Sequence, residues 1–175
     1  FLYFISHGDP ALIEAVRQGR REEFAAFHAE GEAPDPQAET TFEDSKLQWE
    51  LGKRGRQGQL RAFYRELLRL RREVPALAWL DNASLTATVI APGGLELRRW
   101  RDASQVIALL NFAAEPAAVV VKPGAGSWRK ALDATDVRWG GDPSALPAQL
   151  TDGVLPHRFA LPPYAVAVYS AGIPV

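Results

Sequence analysis

The sequence predicts an α+β chain in which a charged, helical first part is followed by an antiparallel β-sandwich. Three observations carry that expectation. Residues 1–74 hold 12 basic and 13 acidic side chains, whereas 75–175 hold only 8 of each together with 10 of the 13 prolines. Before Pro75, apolar residues recur at the i, i+3, i+4, i+7 spacing of a helix that buries one face. After it, short apolar runs alternate with Gly and Pro turn signals, the pattern of many short strands. The 175 residues amount to one large domain or two small ones.

The helices follow in order. Asp9-Pro10 is a start signal, because Asp accepts backbone N–H bonds at an N-cap and Pro suits the first helical position. Leu12, Ile13 and Val16 then share a face, and Gly19 is the expected terminator. A second short helix is expected over 20–28, through Phe24 and Phe27. Residues 30–40 carry two prolines and no apolar period, so they read as a loop. The strongest signal spans 57–73, where Leu60, Phe63, Tyr64, Leu67, Leu68 and Arg71 mark one stripe and Pro75 closes the helix.

Strands are expected at 85–90, 95–101, 105–112, 117–122, 127–133, 157–161 and 164–170. Pro92-Gly93-Gly94, Glu115-Pro116, Pro123-Gly124-Ala125-Gly126 and Pro162-Pro163 bound them. Gly124-Ala125-Gly126-Ser127 has no following Lys and no helix start, so it reads as a hairpin turn rather than a phosphate loop. The proline-rich stretch 142–156 reads as a long connection. No period of 20–50 residues recurs, which excludes a solenoid or propeller.

Composition narrows the function. Lys and Arg number 20 against 21 Asp and Glu, so no cationic excess exists for sequence-independent nucleic-acid binding or for a polybasic membrane anchor. The longest apolar runs are far too short to span a bilayer. With no cysteine and with His7, His28 and His157 far apart, neither a metal site nor a cofactor is expected. The chain opens on Phe1-Leu2-Tyr3-Phe4 without a signal-peptide core or a Met, and the expectation is a cytoplasmic fragment whose N-terminal part is missing. Asn82-Ala83-Ser84 matches a glycan acceptor, but without a secretory signal the match has no weight.

No catalytic centre emerges from the residues alone. Asp35 and Glu43-Asp44 are carboxylates, yet nothing pairs them across a scissile bond as glycoside hydrolysis requires. The opening segment Phe1-Leu2-Tyr3-Phe4-Ile5-Ser6-His7-Gly8-Asp9-Pro10 is the one cluster with two readings. It is either the buried end of a core strand or a sugar-binding loop. Aromatic faces stack on pyranose rings, and His hydrogen-bonds hydroxyls, which makes Phe4 and His7 the candidate substrate-binding residues. Trp100, Trp128 and Trp139 are scattered over strand positions and read as core.

Several of these segments resemble a known family. Phe1–Pro10, Glu14–Phe24, Asp35–Trp49 and Leu60–Glu73 resemble the malto-oligosyltrehalose trehalohydrolase family of the α-amylase superfamily, glycoside hydrolase family 13. Leu161-Pro162-Pro163-Tyr164-Ala165-Val166-Ala167-Val168-Tyr169 resembles the closing strand of an amylase-type C-terminal domain. Position 6 departs from the pattern: it is Ser where the family favours Asp. The resemblance implies that residues 1–76 are the C-terminal end of a catalytic (β/α)₈ barrel, comprising the loop after strand eight and the final helix. Residues 80–175 would be an all-β sandwich. It also implies a retaining α-glycosidase acting on malto-oligosyltrehalose or maltodextrin and needing no cofactor. Its catalytic carboxylates would lie upstream of Phe1, so no catalytic residue is assigned here, and the missing N-terminal part of the same enzyme would be a partner. The alternatives are another amylase-superfamily enzyme (glycogen branching or debranching) and a noncatalytic carbohydrate-binding β-sandwich fragment.

Overall fold

A computed structural model of the chain describes residues 2–27, 31, 33–153 and 155–172. They form an α+β protein whose sheets are antiparallel throughout. The chain divides into two compact units, Phe1–Trp49 and Glu50–Val175.

In the first unit, α1 spans Pro10–Ala26, and the Asp9 side chain caps it by accepting from the Ala11 N–H at 2.9 Å. The expected stop at Gly19 does not occur, and the short helix expected over 20–28 is the second half of α1. Gly within a helix costs only about 1 kcal/mol relative to Ala. Here the Glu14–Arg21 ion pair bridges the position at 2.7 Å. A loop then leads to α2, Glu39–Ser45.

The second unit begins with a 3₁₀ turn, Leu51–Lys53, followed by α3, Gly55–Glu73. Val74 is extended (φ −92°, ψ 109°) because a residue before proline is sterically driven out of the helical region. Pro75 therefore opens a second short helix, α4, Pro75–Ala78, instead of merely ending the first. The strands are β1 (Leu85–Ala91), β2 (Gly94–Arg101), β3 (Ser104–Asn111), β4 (Ala117–Val121), β5 (Ser127–Asp133), β6 (Gln149–Thr151), β7 (His157–Leu161) and β8 (Val166–Ala171). All seven expected strands are present within two residues of their expected bounds. The strand β6 lies inside the stretch expected to be only a connection.

Six strands form one sheet in the order β1-β2-β3-β8-β5-β6, and β4 pairs with β7 in a second. One core lies among Ile107, Leu109, Val119, Val121, Trp128, Leu150, Leu161 and Tyr169, contributed by both sheets. On the other face of the larger sheet, Val106, Leu132 and Val168 meet Leu70, Val74 and Ala76 of α3 and α4. Alternation along each strand sends successive side chains to these two cores. The Gly124-Ala125-Gly126 turn is not a hairpin. It carries the chain from β4 in one sheet to β5 in the other, with Gly124 (φ 90°) and Gly126 (φ 102°) in the left-handed region. At the other end of β4, the buried Asn111 amide donates to the carbonyls of Glu115, Leu161 and Pro162 at 2.8, 3.2 and 2.9 Å.

Candidate functional site

The opening segment is held from behind by the loop that precedes α2. The Ile5 N–H donates to the Pro36 carbonyl at 2.9 Å. The Gln37 amide, turned so that both its ends are satisfied, donates to the Ile5 carbonyl at 3.1 Å and accepts from the His7 N–H at 3.0 Å. That loop is itself fastened to α1. Arg17 forms a two-pronged pair with Asp35 at 3.0 and 2.8 Å, and Asp35 also accepts from the Gln37 N–H. The Arg17 hydrogen bond, then that backbone bond, hold the Asp35 carboxyl below its ordinary range.

On this backing Phe4 is half-buried, with its ring tilted against Phe42 at 4.9 Å between centroids. His7 is exposed. The Arg20 guanidinium lies 5.1 Å from the Tyr3 ring centroid. The structure thus places both candidate residues on one clamped segment, Phe4 with a further aromatic beside it and His7 open to solvent. Phe42 and Gln37 were not singled out from the sequence as site residues. Their relation to Phe4 and His7 spans some thirty residues and leaves no local signal.

The remaining candidates are accounted for structurally. The His157 ring Nε2 lies 3.1 Å from the Thr151 backbone nitrogen and 2.9 Å from its carbonyl oxygen, fastening β7 to β6. His28 lies outside the described residues. Among the described residues, no group of three or more His, Asp or Glu side chains could hold a metal ion. Asn82-Ala83-Ser84 forms an exposed 3₁₀ turn. Trp128 is buried in the core as expected and Trp139 is half-buried, but Trp100 is 40% exposed.

The resolved carboxylate shifts all run one way. A general acid needs a raised pKa. Asp35, Glu66, Asp133 and Asp136 are all shifted downward by hydrogen-bond donors. Glu43 is paired with Lys46 at 2.6 Å. In the first unit, Asp35 serves to hold the opening segment's backing loop in place.

Comparison with known proteins follows the same lines. Over 97% of this chain, the fold superposes on a Salmonella typhimurium crystal structure named for alpha amylase, with a TM-score of 0.60 and 29% identity, covering 25% of that chain. No family model matches. Curated relatives are more particular. Proteins named malto-oligosyltrehalose trehalohydrolase match from Rhizobium sp. (strain M-11) at 40% identity over 115 residues, which is 65% of this chain and 19% of that protein. The Mycobacterium tuberculosis protein of that name matches at 36% over 126 residues, 69% of this chain and 20% of its own length. That from Deinococcus radiodurans matches at 44% over 88 residues, 49% of this chain and 14% of its own. The resemblance read from the sequence is borne out: the chain is a homologue of these trehalohydrolases. It spans about a fifth of the length of the first two.

Proposed function

We propose that this chain is the C-terminal portion of a glycoside hydrolase that cleaves the α-1,4-glucosidic bond next to the terminal trehalose of malto-oligosyltrehalose and releases trehalose. The observation that carries the reading is its 36–44% identity to trehalohydrolases from separate bacterial groups. In this reading residues 1–76 close the catalytic (β/α)₈ barrel with the loop after strand eight and the final helix. Residues 80–175 are the appended β-sandwich. Two features support that layout. The larger sheet and the β4–β7 pair share one core. Helix α3 buries one face on the sheet yet leaves Leu60, Tyr64 and Leu68 more than half exposed, as a helix with a second partner would.

The chemistry would be retaining. One carboxylate attacks the anomeric carbon, a carboxylic acid protonates the departing oxygen, and water then releases the glycosyl-enzyme. Both groups would stand on earlier barrel strands, in a cytoplasmic enzyme. The present chain would contribute Phe4, stacking on a glucosyl ring, and His7, hydrogen-bonding a hydroxyl at the barrel's C-terminal face.

The test uses the full-length enzyme carrying Phe4→Ala or His7→Ala, assayed on malto-oligosyltrehalose. Each should lower kcat/KM by about tenfold, the equivalent of about 1.4 kcal/mol. Unchanged kinetics with a lower Tm would assign Phe4 to packing against Phe42 instead. Maltose or a branched glucan as product, in place of trehalose, would reassign the enzyme within the superfamily.

A further inference from the structure

We propose that the sheet unit carries a second carbohydrate contact, a shallow subsite for one glucosyl ring of a maltodextrin, built from Trp100, Gln105 and Trp128 with Asp102 at its rim. The inference rests on the glucan substrate class proposed above and places a contact on strands remote in sequence from Phe4 and His7.

The strand register builds the site. Trp100 pairs with Gln105 across β2 and β3, and Gln105 pairs with Ala171 across β3 and β8. Arg129 pairs with Ser170, so the preceding residue of β5, Trp128, stands beside Ala171. One row across four strands therefore reads Trp128, Ala171, Gln105, Trp100, all on one face. A hollow of about 240 Å³ lies beside this row, lined by Trp100, Trp128, Gln105, Val106, Asp102, Arg98 and Arg99. That is room for one pyranose ring.

Three observations give the hollow its chemistry. Trp100 is 40% exposed, so an aromatic surface is available for stacking on the C–H face of a sugar. Trp128 is only 2% exposed, and its indole N–H has no acceptor in the protein. That nitrogen is shielded from solvent as well, so Trp128 serves the hollow as an apolar wall. The Arg98 guanidinium is already engaged, by Glu96 at 2.6 Å and the Lys122 carbonyl at 2.8 Å. Arg99, the other cation of the lining, donates to the Trp79 carbonyl, and the Asp102 carboxylate at the rim offsets its charge, so the hollow carries no net cationic excess and suits a neutral polyol. The exposed Gln105 amide adds a donor and an acceptor matched to sugar hydroxyls.

Maltotriose is titrated into the chain while the indole N–H resonances are followed by NMR, with inorganic phosphate in a parallel titration. The resonances of Trp100 and Trp128, assigned with Trp100→Phe and Trp128→Phe, should shift with maltotriose and not with phosphate. Trp100→Ala should weaken binding by about tenfold or more. Gln105→Ala, at an exposed position, removes the amide and should weaken binding several-fold without lowering Tm. Maltotriose shifts that survive Trp100→Ala but vanish with Phe4→Ala would overturn the second subsite and leave the glucan reading intact. Phosphate in place of maltotriose would also overturn it, making the hollow an anion site. If the full-length enzyme cleaves malto-oligosyltrehalose while these two resonances stay fixed up to the solubility limit of maltotriose, the subsite alone falls. If the full-length enzyme neither binds nor cleaves glucans, both readings fall.

Discussion

At the scale of single residues, Asp133 is the most consequential carboxylate in the sheet unit. It is 1% exposed. Its Oδ1 accepts from the Thr135 N–H at 3.0 Å and the Thr135 hydroxyl at 2.7 Å, while Oδ2 takes Ser144 and Lys130. Lys130 also donates to the Leu146 carbonyl at 3.1 Å, so the pair pins the loop after β5 to its own strand. Burial pushes the Asp133 carboxyl up, but the hydrogen bonds from Ser144, Thr135 and Lys130 together outweigh it and hold the group below its ordinary value. A carboxylate depressed in the folded state stabilises the fold above its ordinary pKa of 3.8 and loses that contribution as pH falls through the lower folded value. Asp133→Asn should therefore cost about 3 kcal/mol at neutral pH, because a largely buried lysine loses its counter-charge. In urea titrations the gap between wild type and variant should narrow as pH falls below 3.8 and through the lower folded value, leaving the variant with the flatter acid limb. An equal gap at pH 7 and in acid would show that packing, and not the charge, sets the loss.

At the scale of elements, α3 is two helices' worth of apolar surface on one helix. Phe63, Leu67 and Leu70 follow the i, i+4, i+7 line toward Val106, Leu132 and Val168 of the sheet. Leu60, Tyr64 and Leu68 follow the adjacent line and are 54, 59 and 54% exposed. Leu70→Ala should cost about 2–5 kcal/mol in chemical unfolding, since it opens a cavity. Leu68→Ala should change stability by less than about 0.5 kcal/mol. The triple change of Leu60, Tyr64 and Leu68 to Glu should leave the fold intact and reduce self-association of the chain in sedimentation, because it removes an exposed apolar stripe. A full Leu70-sized loss at Leu68 would mean that the stripe is covered. The periodicity of 57–73 marks an apolar stripe, but a period cannot say which part of it the sheet buries and which part stays exposed. Other signals were legible because their causes are local. Asp9-Pro10 fixes a cap, and Pro75 forces Val74 out of the helix, within one or two residues of chain. Gly19 misled because its propensity cost is smaller than the gain from continuing α1. The β6 strand has three residues, of which only Leu150 is buried, so no alternation announces it. The assignment of β4 and β5 to different sheets depends on β7 and β8, some forty residues away, and no turn motif encodes that.

At the scale of the whole molecule, the two units differ in what holds them. Among the described residues, every large buried apolar side chain lies in Glu50–Val175, and none lies in the first unit, where only Pro36 and Thr41 are buried. About fifty residues without a buried apolar core fall below what a free-standing domain needs. The aromatic cluster at Phe4 was legible from composition, but its clamp through Gln37 was not. The segment Lys46–Arg54 carries exposed Lys46, Lys53 and Arg54 where the units join in sequence. Val74 and Ala76, in the stretch where the composition changes, are buried. Trypsin should therefore cut first within 46–54 and leave the strands whole; early cleavage inside 104–121 would contradict the shared core. The same asymmetry bears on activity. Under the proposed function a nucleophile and an acid must face each other across the bond, and losing one member of such a unit removes most of the rate. The resolved carboxylate shifts in this chain are all downward, the wrong direction for the acid. The 175-residue chain alone should thus release no trehalose from malto-oligosyltrehalose, while co-expression with the preceding part of the enzyme should restore activity. Trehalose release that tracks the purified chain through its last column, and disappears on replacing one carboxylate among residues 9–73, would place the catalytic centre in this chain and overturn the proposal.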